Sequence, residues 1–314
     1  MTVCKLFDID CEVFINWVIH VQRVILIISR TRKYCEFSIN AKRNMAGSDP
    51  AVRELAALLE SPEIKDVKPE IREKLEKILE MSNKRHNYAD EITTTHSDVL
   101  DQITQETRTH PWEEVFKAGK TSWIMPARMI SGPVTSQFLK FIVSMTKAKQ
   151  VLEIGMFTGY TALSMAEALP PDGVVITCEI SDYLKGLTPE FFSRSPHGKK
   201  IKPYFGPAGE TLETLTKEGR LFDVIFVDAD KPGYRGYVDT ILQNGLLAPN
   251  GIILADNAFF GGRAYMNPKS RDENPINDFN EYIASRADLR QVLLPIRDGM
   301  LAIRRTSEVE GQAD

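Results

Sequence analysis

Cysteine is scarce in this 314-residue chain: Cys4, Cys11, Cys35 and Cys178 are all there are, and three fall within the first 35 positions. No two stand in a C-x-x-C spacing, which excludes a zinc knuckle and a dithiol redox centre. Cys178 lies inside an apolar strand-like run and reads as a small buried hydrophobe. A reducing, cytoplasmic setting is the expectation. Positive charge is not in excess either: the net charge is −4 and the pI about 5.9. A nucleic-acid binder carries a basic stripe, and none is present, so no nucleic-acid partner is expected. The dinucleotide fingerprint G-x-G-x-x-G is missing, which argues against a nicotinamide oxidoreductase. There is no internal repeat and no low-complexity segment. His86, His96, His110 and His197 lie in polar or loop contexts and read as incidental.

What is present is an ordinary globular composition, 43% hydrophobic and 26% charged, with one discordant end. Val13 to Ser29 reads VFINWVIHVQRVILIIS, long enough to raise a membrane span. His20, Gln22 and Arg23 sit at its centre, where a charge is costly in lipid. The basic cluster Arg30, Arg32, Lys33 follows the apolar run, the reverse of a cleaved signal peptide. Residues 1–44 are therefore expected to lie outside the working fold, with Met45 as its start and no membrane partner.

Residues 45–135 read as N-terminal helices and a covering segment. Helices are predicted over 50–60, over 69–82, where Ile71, Leu75, Ile78 and Leu79 share a face, and over 97–107 with Ser97 as the cap. The stretch 111–136, broken by prolines and glycines, is predicted to be irregular and to wrap over the site. From residue 136 to 306 strands alternate with helices: QVLEI, GVVITCEI, KIKPYF, FDVIFVD and GIILAD, then RQVLLPI and GMLAIRR. Near-continuous Val/Ile/Leu runs of this kind are buried parallel strands. The pattern predicts a doubly wound α/β fold, a mostly parallel seven-stranded sheet with an antiparallel edge hairpin. Residues 307–314 read as a loose polar tail.

The chemistry gathers at strand ends. FDVIFVDADK (222–231) and GIILADNAFFGG (251–262) each finish on acids. As neighbouring parallel strands they would bring Asp228, Asp256 and Asn257 together at the carboxyl edge, where open α/β sheets bind ligands. Three oxygen donors without His or Cys suit a hard divalent cation, Mg²⁺ before zinc. Glu153-Ile-Gly155-Met156-Phe-Thr-Gly159 forms a Gly-containing turn whose acid suits a cationic amino group better than a phosphate. Glu179 ends the next strand, where an acid can accept ribose hydroxyls. Plainer readings exist for each: Asp228 as a helix cap, Asp256-Asn257 as a turn pair, Lys231 as a solvated side chain. Their coincidence at matching strand ends favours a site. Trp112, Trp123, Phe259 and Phe260 could wall an aromatic acceptor or merely pack.

The motifs EIGMFTGYTAL, FVDADK, ADN and LPIRDGMLAIRR resemble those of S-adenosylmethionine-dependent O-methyltransferases, more narrowly the cation-dependent caffeoyl-CoA and catechol group, from about Ser97 to Arg305. The resemblance implies a Rossmann-like methyltransferase fold, S-adenosyl-L-methionine and a divalent cation as cofactors, a small hydroxylated aromatic substrate and a homodimer. It implies metal ligation by Asp228, Asp256 and Asn257, and a place for Lys231 beside the reacting hydroxyl, as base or as electrostatic partner. Glu153, Gly155, Met156 and Thr161 match positions around the methionine part of the donor. Glu179 matches the ribose acid, Ala208 a position near adenine, and Asp230 and Ser131 further donor contacts. Plant enzymes for CoA esters carry Asn shortly after the metal Asn; here Gly261 stands there, a departure that bears on the CoA-ester substrate and not on the chemistry. A catalytically silent donor-binding protein of the same fold is the competing expectation, along with a methyltransferase for a non-catechol specialised metabolite.

Overall fold

A computed structural model of the chain describes residues 49–64, 66–266 and 274–310. Residues 1–44, with the apolar run 13–29 and the start expected at Met45, lie outside the described residues, as do Cys4, Cys11 and Cys35. Among the described residues no helix is long and apolar enough to cross a membrane.

Helices α1 (Pro50–Glu60), α2 (Pro69–Ile92), α3 (Asp98–Thr109), α4 (Trp112–Lys117) and α5 (Pro133–Met145) precede the first strand. Their starts follow local chemistry. The Asp49 carboxylate accepts from the Ala51 N–H, and the Ser97 hydroxyl from the Leu100 N–H. Pro50, Pro69 and Pro133 occupy first-turn positions, where a missing N–H costs nothing. Helix α2 runs ten residues past the predicted end, because no glycine or proline interrupts it before Thr93. Its predicted apolar face is not a core face: none of its residues is buried, and Ile71 and Ile78 are about half exposed.

The stretch 111–136 differs from expectation. It contains α4 and a 3₁₀ turn, Ala127–Met129, and α5 already begins within it, at Pro133. It also contributes core: Trp112, Val115 and Met125 are buried. Trp112 donates its indole N–H to the Thr107 carbonyl and packs against the rings of His110 and Phe157. An apolar ring with its one donor satisfied is more stable inside than over a solvent-facing site.

The alternating half runs β1 (Gln150–Ile154), α6 (Tyr160–Ala168), β2 (Val174–Glu179), α7 (Thr188–Ser193), β3 (Ile201–Phe205), α8 (Ala208–Lys217), β4 (Phe222–Val227), α9 (Tyr234–Gln243), β5 (Leu247–Asp256), α10 (Arg263–Met266), α11 (Pro275–Ser285), β6 (Leu289–Leu294), β7 (Met300–Arg305) and α12 (Thr306–Val309). The seven strands lie in the order β3-β2-β1-β4-β5-β7-β6. β1 to β5 are parallel, while β7 runs antiparallel between β5 and the edge strand β6. The doubly wound sheet with its antiparallel edge pair is as the run pattern predicts.

Apolar side chains cover both faces. On one side Val151, Val175, Val224, Phe226 and Leu254 meet Leu139, Leu163 and Met165. On the other Leu152, Ile154, Ile176, Ile225, Val227 and Ile253 meet Leu212, Val238, Ile241 and Phe279. Each such side chain taken fully out of water contributes about 1.5–3 kcal/mol. Cys178 is buried in the second set, the small hydrophobe expected. The tail is firmer than its composition suggests: Glu308 accepts from the Asn250 N–H and from Arg305, and Glu310 pairs with Arg290, so the chain is tied down as far as Glu310.

Candidate active site

The strand order reverses direction between β1 and β4, and the crevice beyond their carboxyl ends is where an open α/β sheet takes its ligands. The turn after β1 passes through that crevice. The N–H groups of Gly155 and Met156 both donate to the Cys178 carbonyl, at 3.0 and 3.1 Å, which clips the turn onto β2. Gly155 has φ +101°, and a Cβ built on it would sit 2.0 Å from the Asp228 carbonyl oxygen. Only glycine lets the β1 turn approach the end of β4 so closely. Met156 and Thr161 are buried beside the turn.

Glu153 points to the same face of β1 as Val151, where the alternation calls for an apolar residue. Its register partner across the sheet is Thr177, whose hydroxyl donates to Oε2 at 2.6 Å. The other oxygen, Oε1, is buried with no hydrogen-bond partner. Burial pushes the carboxyl up to about 8, the Thr161 and Thr177 hydroxyls acting the other way and the charges of Asp228 and Glu179 adding to the rise. A buried acceptor left unsatisfied is costly. A ligand ammonium in the crevice would satisfy it, so the residues fit the amino-acid end of S-adenosylmethionine.

The sign of that coupling can be worked out. The unfolded carboxyl ionises near 4.5, and the folded one holds its proton to about 8. The folded state therefore binds more protons across this window, and the ligand-free protein loses stability as pH rises through it. An ammonium ligand needs the ionised form. Donor affinity is expected to rise by up to about tenfold per unit between roughly pH 5 and pH 7, with proton release on binding. Calorimetry in buffers of different ionisation enthalpy reads both. Glu153→Gln should abolish the proton release; pH-independent affinity in the wild type would contradict the assignment.

Glu179, at the end of β2, is also buried. Its Oε2 accepts from the Phe157 N–H at 2.7 Å and its Oε1 from the Ser181 N–H at 2.8 Å. Burial raises its pKa against those backbone donors. A carboxylate, with several acceptor sites on two oxygens, is the group a vicinal diol requires. Ala208 stands half-buried at the first position of α8, beyond the end of β3, on the same edge. Asp230 is exposed, and both its oxygens are engaged within the chain, by the Gly233 N–H at 3.0 Å and the Tyr237 hydroxyl at 2.6 Å. It caps the turn that carries Lys231. Ser131 is half-buried in the loop before α5.

The acidic pair is set by register. Val227 pairs with Ala255 in parallel, so the next residues, Asp228 and Asp256, emerge side by side at the sheet end. Asp256 is buried, and its pKa is raised by that burial first and by the Asp228 charge second. Its Oδ1 accepts from the Asn257 N–H at 2.8 Å. Asn257 adopts φ +57°, a left-handed conformation that asparagine tolerates. Lys231 reaches back to Asp228 Oδ1 at 3.1 Å and to the Tyr234 hydroxyl at 2.7 Å. Among the described residues no three His, Cys, Asp or Glu side chains form a metal cluster. Asp228 and Asp256 are adjacent carboxylates whose mutual repulsion a hard cation would relieve, while the Asn257 side chain is engaged with Asp298.

Tyr234 escapes the motifs, and Asp298 lies within LPIRDGMLAIRR without a role assigned to it from the sequence. Tyr234 is fully buried at the start of α9 and donates to the Asp256 carbonyl at 3.2 Å. Its signal in the sequence is its position three residues after Lys231. Asp298, in the turn before β7, accepts from the Gly261 N–H at 2.8 Å and presents its backbone carbonyl to the Phe259 N–H at 2.8 Å. Burial raises its pKa, while the Gly261 N–H, Lys231, Arg53 and the Asn257 side chain favour its charge. Of the candidate aromatic wall, Trp112 belongs to the core. Trp123 is exposed, and Phe259 packs edge-on against Tyr265. The histidines are not all idle: His96 bridges Asp101 and the Tyr160 hydroxyl, and His110 bonds the Tyr183 hydroxyl.

A family model described as O-methyltransferase matches residues 90–306. O-methyltransferase ankF of Aspergillus thermomutatus is 37% identical over 194 residues, covering 57% of this chain and 80% of that protein. Caffeoyl-CoA O-methyltransferase 1 of Nicotiana tabacum is 30% identical over 244 residues, covering 72% of this chain and 99% of that protein. Among solved structures, Podospora anserina methyltransferase PaMTH1 bound to SAH superposes with a TM-score of 0.61 at 30% identity, covering 72% of this chain and 95% of the other. With its Rossmann-like sheet, the chain belongs to the O-methyltransferase family and is an S-adenosylmethionine-dependent O-methyltransferase.

Proposed function

We propose that the chain transfers the donor methyl group to a hydroxyl of a small catechol-like or phenolic molecule, with a divalent cation, Mg²⁺ first among them, held by Asp228, Asp256 and Asn257. The observation that carries this reading is the register pairing that sets Asp228 beside Asp256, with Asn257 next in the chain and Lys231 on the same carboxylate. A bound cation would supply Lewis acidity, making the acceptor hydroxyl easier to ionise and fixing its direction. The remaining work falls to the chain. Glu153 holds the donor's amino group and Glu179 its ribose, which aims the sulfonium methyl along the crevice. Lys231 stands beside the acceptor oxygen, within reach of its proton or of the negative charge left behind. Methyl transfer from a sulfonium is a single in-line displacement, so alignment provides much of the rate. These residues together oppose the silent-protein alternative.

The acceptor class rests on relatives named for caffeoyl-CoA. Gly261 has φ +59° and its carbonyl accepts from Arg53 at 2.7 Å, with the guanidinium 3.2 Å from where a Cβ would be. A larger residue there, as in the CoA-ester enzymes, would crowd that arginine, so this loop is built differently from theirs. A homodimer is supported by α2, whose stripe of Ile71, Ile78, Met81, Tyr88 and Ile92 is exposed, together with Phe141 and Met145 of α5.

The test is a methyl-transfer assay over a panel of catechols and other phenols. Turnover is expected to fall at least a hundredfold on chelation and to return with Mg²⁺. Full turnover in excess chelator would overturn the metal assignment.

A further inference from the structure

Lys231 is held by a residue that none of the motifs identifies. Its Nζ donates to Asp228 Oδ1 at 3.1 Å and to the Tyr234 Oη at 2.7 Å, and it lies 4.7 Å from the Tyr234 ring centroid. Tyr234 is itself fixed. It is fully buried, its ring packs edge-on against Phe279 at 5.5 Å, and its one hydroxyl proton goes to the Asp256 backbone carbonyl at 3.2 Å. With that proton committed, the phenol can show Lys231 only a lone pair. An ammonium has three N–H bonds; Asp228 and Tyr234 take two, and the third is left for the crevice, to which Lys231 is 16% exposed.

The two acceptors are not equivalent. A cation held by Asp228 draws on the same carboxylate that accepts from Lys231. Tyr234 competes for nothing of that kind, since its oxygen is a neutral phenol anchored to backbone. We infer that Tyr234 is the positioning residue of Lys231: its hydroxyl keeps the amine at the acceptor oxygen when Asp228 turns to the cation, and it ties that position to the strand carrying Asp256. This rests on the metal-dependent reading of the site, and it adds a residue that touches neither donor nor metal.

Tyr234→Phe removes one oxygen and keeps the ring on Phe279, so the fold should persist, which circular dichroism checks. With catechol as the acceptor probe, S-adenosylmethionine and Mg²⁺, kcat is expected to fall about tenfold or more while the KM values for catechol and donor stay within twofold. In a Lys231→Met background the same change should cost less than twofold, since no amine remains to be positioned. A general loosening of the structure would cost the same in both backgrounds. Independently of turnover, ¹⁵N-lysine NMR of the chain with Mg²⁺ and S-adenosylhomocysteine should show an ordered Lys231 signal that Tyr234→Phe makes mobile. A kcat within twofold of wild type, or an equal loss in both backgrounds, would overturn the inference. If the wild type methylates no phenol, the functional reading fails, and the NMR comparison alone decides: an unchanged Lys231 signal in Tyr234→Phe rejects the positioning role, and a mobilised one upholds it.

Discussion

Asp256→Asn is expected to lower metal-dependent methyl transfer by about a thousandfold while making the metal-free protein more stable. Both effects come from one carboxylate. Loss of Lewis-acid stabilisation of the acceptor oxygen is worth several kcal/mol, at tenfold per roughly 1.4 kcal/mol. In the absence of a cation the same carboxyl is buried beside Asp228, and its pKa stands well above the ordinary value of 3.8, by burial first and by the neighbouring charge second. From about pH 4 upward the unfolded chain has released this proton and the folded chain still holds it. The wild type without metal therefore loses stability as pH rises through that range, and asparagine removes the loss. Thermal melts in chelator should show the Asn variant above wild type by a margin that widens from pH 5 to pH 8. For a domain of this size each kcal/mol moves Tm by about 2–4 °C. Added Mg²⁺ should raise the wild type and leave the variant unmoved. Equal melts in chelator at pH 8 would show that Asp256 is not under the strain inferred here.

Gly155→Ala should be among the most damaging single methyl additions to the described residues. Its Cβ would lie 2.0 Å from the Asp228 carbonyl oxygen and 2.7 Å from the carbonyl carbon, both backbone atoms that no rotamer change can move aside. The residue also sits at φ +101°, outside the range an alanine adopts readily. Overpacking and backbone strain together make a cost of roughly 3 kcal/mol or more. The damage is specific in place. Relief requires β1 and β4 to part at their carboxyl ends, which separates Glu153 from Asp228 and loosens donor and cation sites together. The measurement is a melt with calorimetry of S-adenosylmethionine binding. Glycine at 155 replaced by alanine with unchanged Tm and donor affinity would refute the close approach. By contrast Gly209→Ala in α8, where a Cβ meets nothing within 4 Å, should leave the fold unharmed or stabilise it by up to about 1 kcal/mol.

Much of this architecture is legible in the chain because it is local. Four of the five parallel strands announce themselves by Val, Ile and Leu, while the edge strand β3, IKPYF, is only partly apolar and partly buried. The acids that close them are conspicuous because each ends a run that is otherwise apolar, and Glu153 because it interrupts one. Register then does what a sequence cannot display, setting Asp228 beside Asp256 and Thr177 beside Glu153. What stayed hidden depends on distant partners. Asp298 comes to the site only because β7 inserts between β5 and β6, and from the sequence it is just the turn of a hairpin. Tyr234 looks like one more apolar position of a helix until its hydroxyl is seen between Lys231 and the Asp256 carbonyl. Trp112 reads as a covering aromatic because its neighbours are prolines and acids, yet its partners Phe157 and Tyr183 come from beyond β1 and β2. Helix α2 carries an apolar stripe that stays exposed among the described residues, a pattern that resembles a core face when only periodicity is read.

The most direct test of the account is a crystal grown with Mn²⁺ and S-adenosylhomocysteine and measured at the manganese edge. A single anomalous peak among the side-chain oxygens of Asp228, Asp256 and Asn257, with Lys231 beside the open coordination position, is the predicted result. No peak at that place in a crystal whose donor crevice is filled, or these three side chains turned to separate partners, would contradict it.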